Sequence, residues 1–274
     1  MKIVVNIIAV GILLSFFTSA QANLLVTPKR IVFDERERTQ QVVLINASNQ
    51  RRSYRLEWVE QKQIDGGAYR LLKEEDAQGR KKASDIMRFS PRQVRLGPGE
   101  RQVVKILARR KANMEPGEYR SHLLFSALPL ETEASNDMVD GMSMKLNVLV
   151  SYSIPVMLNV NYKSPQIFVS DVQVNEQPEK DNKFADVIVT LNKTGNYSTY
   201  GKVKAYFKAD NQDSFKEVGL LNGVSIFAEA NVYIANLTWS DAPEARRGEL
   251  KIRYEGDAEF SGTTFTEEVL SINL

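Results

Sequence analysis

From about residue 23 to its end, the chain alternates apolar and polar residues in short stretches, and this period of two constrains the fold more than any other feature. Successive side chains of a strand point to opposite faces, so alternation marks a ribbon with one buried face. In Ser53-Tyr54-Arg55-Leu56-Glu57-Trp58-Val59 the residues Tyr54, Leu56 and Trp58 share a face, and the run leads to Asp65-Gly66-Gly67. The stretch 40–45 stops at Asn46-Ala47-Ser48-Asn49. Met87-Arg88-Phe89-Ser90-Pro91 leads to Val94 and Leu96, and Gly97-Pro98-Gly99-Glu100 turns the chain into 102–108. Pro116-Gly117 opens 118–128. Further on, 185–191, 202–207, 232–237 and 249–254 are separated by Thr194-Gly195-Asn196, Asp210-Asn211-Gln212-Asp213 and Arg247-Gly248. Short strands with turn residues every eight to twelve positions predict an all-β sandwich architecture. No helical period persists over a dozen residues.

A length of 274 residues exceeds what one small sandwich uses, so two β-sandwich domains are expected, arranged at an angle with a cleft between them. The boundary is placed after Pro155, giving domains 23–155 and 160–274. The first holds 23 Lys and Arg against 17 Asp and Glu, and residues 156–274 hold 12 against 17. The near-neutral whole thus conceals a basic and an acidic half. Limited packing across a short linker is the expectation for such a pair. The basic stretches, among them Arg80-Lys81-Lys82 and Arg109-Arg110-Lys111, lack the interleaved aromatic residues of a nucleic-acid groove, so no nucleic-acid partner is expected.

With no Cys and one His, thiolate catalysis, disulfides, Cys-rich zinc sites and multi-His metal sites are excluded. A nucleophilic triad would have to be built on His122. Carboxylate hydrolysis needs two converging acids, and candidates such as Asp34 and Glu57 sit in no motif. The chain is read as no enzyme, with no metal and no cofactor.

Residues 1–22 combine Lys2, an apolar run over 3–17 and Thr18-Ser19-Ala20-Gln21-Ala22. Small residues at Ala20 and Ala22 predict a signal peptide cut after Ala22. The apolar run falls short of the ~20 residues that span a bilayer. The expected product is exported to the periplasm, without stable membrane insertion.

Residues 142–155 form the most unusual stretch. Met142, Met144, Leu146, Val148, Val150, Tyr152 and Ile154 all fall on one parity, after a polar, acidic stretch 130–141. At about 3.3 Å per residue the strand would run on the order of 40 Å. Two readings are open. It closes its own sandwich as a long last strand, or its first part projects and completes a partner that lacks a strand, main-chain bonds giving affinity and alternate side chains filling pockets. Met at two positions suits a surface that fits several partners.

Several segments in order carry a resemblance. They are Pro28-Lys29-Arg30-Ile31-Val32-Phe33-Asp34, a second strand bearing Asn46, Phe89-Ser90-Pro91, Leu96-Gly97-Pro98-Gly99-Glu100-Arg101-Gln102, the polar loop and the long strand ending in Pro155. With the export signal, they resemble the periplasmic pilus (fimbrial) chaperones of the chaperone–usher pathway. The resemblance implies two immunoglobulin-like β-sandwich domains and a protein that stabilises pilus subunits by donating a strand. An outer-membrane usher would then receive the subunit. Met142, Met144, Leu146, Val148 and Val150 would be the donor strand. The resemblance also implies a cationic anchor for the subunit's terminal carboxylate, with Arg30 at the first-strand position. The family's lysine, expected near Leu149 or Val150, is not matched, since Lys145 lies well before it. This departure points to a divergent branch, with Arg120 supplying the missing charge. His122 shares a strand face with Arg120, as a subunit contact or as a half-buried strand residue. The alternative function is a secreted two-domain structural or adhesive module.

Overall fold

A computed structural model describes residues 24–34, 36–129, 149–176 and 183–274. Its first part runs β1 (Leu24–Thr27), β2 (Ile31–Phe33), β3 (Thr39–Asn46), β4 (Arg52–Val59), β5 (Gln61–Gln63), β6 (Tyr69–Leu71), β7 (Met87–Ser90), β8 (Gln93–Leu96), β9 (Arg101–Ala108), β10 (Gly117–Ala127) and β11 (Tyr152–Val160). One sheet has the order β1-β3-β9-β7 and faces a second of order β2-β11-β10-β4-β8. The inward parity of each strand makes the core: Val42 and Leu44, Val104 and Ile106, Leu123 and Phe125, Val156 and Leu158, with Phe33 between the sheets. Buried Asn46 joins two turns, donating from Nδ2 to the carbonyls of Gln50, Leu96 and Gly97 and accepting from Ser48.

The second part is β12 (Gln166–Glu176), β13 (Ala185–Thr194), β14 (Thr199–Ala209), β15 (Lys216–Ile226), β16 (Val232–Trp239), β17 (Arg247–Gly256) and β18 (Thr264–Asn273). Sheets β12-β13-β16 and β15-β14-β17-β18 enclose a separate core of Val187, Val189, Leu191, Val203, Leu237, Leu250 and Ile252. The chain is therefore all-β with two sandwiches, and the four second-half stretches singled out by alternation lie inside β13, β14, β16 and β17.

Three expectations change. The first sandwich runs past Pro155 to Val160, because Ile154, Val156 and Leu158 are one continuous inward row and β11 pairs with β10 as far as Gly117↔Val160. Of the strand expected over 142–155, residues 142–148 lie outside the described residues, and within 149–155 strand structure starts at Tyr152. Leu149, Val150 and Ser151 are exposed and lie in no strand. The ladder from Phe125↔Tyr152 has no continuation there, since β10 ends at Ala127, the Leu128 N–H bonds Ser53 on β4, and Pro129 has no N–H to give. Of the residues expected to form a donor strand, Val150 is thus outside a strand, and Met142, Met144, Leu146 and Val148 lie outside the described residues.

The third change concerns the junction, which is closely packed. Strand β10 is buried on both faces: Leu123 and Phe125 enter the core, while Glu118, Arg120 and His122 on the other parity lie beneath the second domain. The β5–β6 hairpin, which lies outside both sheets of the first sandwich, reaches across, and at its turn a Cβ on Gly67 would run into the Tyr233 ring.

Candidate ligand cleft and open strand edge

Strand β2 is only three residues long and pairs in parallel with β11 at Val156, Met157 and Leu158. From Tyr152 to Pro155, β11 has β10 on one side and, among the described residues, no strand on the other. Where β2 begins, this open stretch meets a cleft of about 550 Å³ between the domains, bordered by Lys29, Arg30, Ser153, Pro155, Tyr200 and Phe227 among others. Gln61 of the hairpin donates to Ser153 at 3.2 Å, so the hairpin flanks the same edge.

Arg30 precedes Ile31, whose side chain is fixed in the core, and the turn of the chain there sends the guanidinium across to the second domain. Its Nη2 lies 2.6 Å from Glu259 Oε1, its Nη1 lies 3.4 Å from Ser225 Oγ, and the group stacks 4.2 Å from the centroid of Tyr200. Nε is buried and has no partner.

Arg120 sits on the face of β10 that the second domain covers. Its Nη2 reaches both oxygens of Glu229 at 2.6 and 2.7 Å, Nη1 bonds Glu118 at 3.1 Å, and Phe227 stacks on it at 3.8 Å. Burial alone would raise the Glu229 carboxyl, but the charge and hydrogen bond of Arg120 hold it below its ordinary value. Glu118 accepts the Ser198 N–H at 2.8 Å, and Arg80 approaches Glu229 at 3.5 Å. Lys193, nearby and buried, is lowered by desolvation. His122 is buried rather than half-buried, with Nδ1 unpaired and its ring between Tyr69 and Phe227. Its imidazole is pushed down to about 3, first by burial and then by the charge of Arg120.

The two arginines singled out in the sequence thus both lie in the domain junction, each already facing a carboxylate of the second domain. Glu229, Glu259, Gln63, Tyr200 and Phe227 were not singled out. They come from β5, β14, the turn after β15 and the turn after β17, and none belongs to a spaced motif, so only the opposite charge of the two halves hinted at such pairs. Among the described residues no group of three or more His, Asp or Glu is placed to hold a metal ion. No helix among them is long and apolar enough to cross a membrane.

No protein-family model and no curated protein matches the chain. Among solved structures it is similar to the YadV chaperone at 11% identity, covering 92% of this chain and 100% of that one with a TM-score of 0.45. It is also similar to the Pseudomonas aeruginosa CupB2 chaperone, at 13% identity over 91% and 100% of the two chains and a TM-score of 0.41. A third similarity is to the Salmonella enterica SafA pilin in complex with the SafB chaperone, at 10% identity, 92% and 97% coverage and a TM-score of 0.45.

Proposed function

We propose that this protein is an exported chaperone that holds incomplete β-sandwich subunits of a pilus or related surface fibre by lending them a strand. It would act in the periplasm and pass each subunit to an outer-membrane usher. The observation that carries this reading is the open edge of β11 leading into the Arg30 cleft. Unpaired main-chain groups on an edge are a template for another chain, and a subunit that lacks a strand has the complementary need. Because β2 pairs in parallel with β11 and starts at Ile31, a subunit strand laid in parallel along Tyr152 to Pro155 would end, carboxyl terminus first, beside Lys29 and Arg30. Arg30 then supplies the positive charge for that terminal carboxylate, with Arg120 behind it in the junction and already paired with Glu118 and Glu229. Met142, Met144, Leu146 and Val148, followed by Val150, fill the subunit's groove on alternate positions. No bond is made or broken.

The test is expression of the chain with and without a small β-rich subunit encoded beside it. A soluble complex, with subunit lost when the chain is omitted, is the expected result. Ordered self-assembly of this chain alone, with no subunit retained, would instead make it a structural or adhesive module.

A further inference from the structure

The two arginines of the junction are held in very different ways. Glu229, the partner of Arg120, also accepts the Gln63 N–H at 2.9 Å and is approached by Arg80, and its side chain is only 15% exposed. Arg120 in turn is bonded to Glu118, whose side chain is 2% exposed. Moving Glu229 would strand several buried charges at once, which makes that pair a fixture of the interface.

The ion pair of Arg30 runs from one nitrogen to one oxygen, with Tyr200 stacked on the guanidinium. Its Ser225 contact is long, and its buried Nε is free. Glu259 has no other hydrogen bond or ion pair among the described residues, and its side chain is 25% exposed. It rides on a tight turn after Ala258, a non-glycine residue with φ of 51°. Glu259 also borders a second cavity of about 540 Å³, lined by Asp34, Asn159, Tyr162, Phe260 and Phe265 among others, so its side chain has open space beside it.

We propose that Glu259 is a built-in competitor for the ligand's carboxylate: it takes the Arg30 guanidinium while no ligand is bound and yields it when a chain-terminal carboxylate enters the cleft. The inference rests on the strand-holding reading above and adds to it a residue that sets affinity. A second anion arriving at a neutral Arg30–Glu259 pair meets repulsion from Glu259 as well as attraction from Arg30, so the anchor is weaker than a bare arginine. A chaperone that must later release its cargo gains from such an anchor. Arg120, neutralised by Glu118 and Glu229, does not exchange.

The full chain is titrated with a short labelled peptide of alternating valine and serine, ending either in a free carboxylate or in an amide. The unaltered protein should bind the acid more tightly than the amide. Glu259→Gln should tighten the acid about tenfold and leave the amide unchanged, whereas a residue that merely shapes the turn would shift both alike. Equal thermal transitions establish that the variant folds, and Glu259→Ser replaces it if it does not. If the unaltered protein discriminates acid from amide but Glu259→Gln binds the acid no better, Glu259 only positions Arg30 and the competitor is ruled out. If the unaltered protein does not discriminate at all, the carboxylate anchor itself fails and the competitor falls with it.

Discussion

The side-chain oxygen of Gln63 accepts the main-chain N–H of Phe227 at 2.8 Å, and that bond crosses from one sandwich to the other. On the same amide, Nε2 donates to the Ser225 carbonyl at 2.8 Å. Gln63 thus stands in for a neighbouring strand's peptide group at the end of β15. With Arg120 and Glu229 beside it, it fixes the second domain against β10, and so fixes the cleft in which Arg30 lies.

Gln63→Ala should therefore cost more than an exposed polar truncation. Leaving the Phe227 N–H and Ser225 C=O buried and unpaired costs about 1–3 kcal/mol for each group. Urea unfolding should show a midpoint shifted in that sense. A change within about 0.5 kcal/mol would mean that water replaces both bonds.

Stability should fall with acidification well above the carboxylate range. His122 is held near 3 in the folded chain against 6.5 for the free imidazole. Between those values the unfolded state binds a proton that the folded state does not, so unfolding is favoured as pH drops. The loss is about 2 kcal/mol between about pH 6.5 and about pH 5. Glu229 acts in the same direction further down: its folded value is lowered, so its contribution is present above the ordinary carboxylate range and is lost as pH falls through the lowered value. His122→Gln should flatten the upper part of the profile. An unchanged slope in that variant would assign the effect elsewhere.

These residues also mark where the sequence was legible. The strands around Tyr54, Leu56 and Trp58, or Val104 and Ile106, could be read because a half-buried strand writes its two faces as alternating residue types. Strand β10 could be found but not understood, since Glu118, Arg120 and His122 look like a wet face and are covered by a domain encoded a hundred residues later. Val150 continues the apolar parity of β11 yet lies beyond its ladder with β10, because the pattern does not record where the neighbouring β10 stops. Arg30 was legible as a position, and its partner Glu259 was not. A pairing between two turns of different domains leaves no period in either.

Arg30→Ala should weaken subunit retention by another route, by removing the anchor at the end of the open edge while leaving the edge intact. The loss should be partial and should shrink as salt is raised, since the contact is between charges. Co-purified subunit measured at low and high ionic strength checks this. Equal loss at both would assign Arg30 to holding the domains together rather than to binding.

Strand donation itself is tested most directly by Leu146→Glu beside Asn147→Glu, each first shown to keep the thermal transition of the unaltered chain. If Leu146 enters a subunit groove, a charge there is desolvated without a partner and costs several kcal/mol, with each 1.4 kcal/mol worth about tenfold in affinity. Asn147 lies on the opposite parity and should tolerate the same change. The measurement is the amount of subunit protected in the periplasm beside each variant. Strand donation predicts that Leu146→Glu abolishes protection while Asn147→Glu largely retains it. A folded Leu146→Glu that protects subunits as well as the unaltered chain would contradict it.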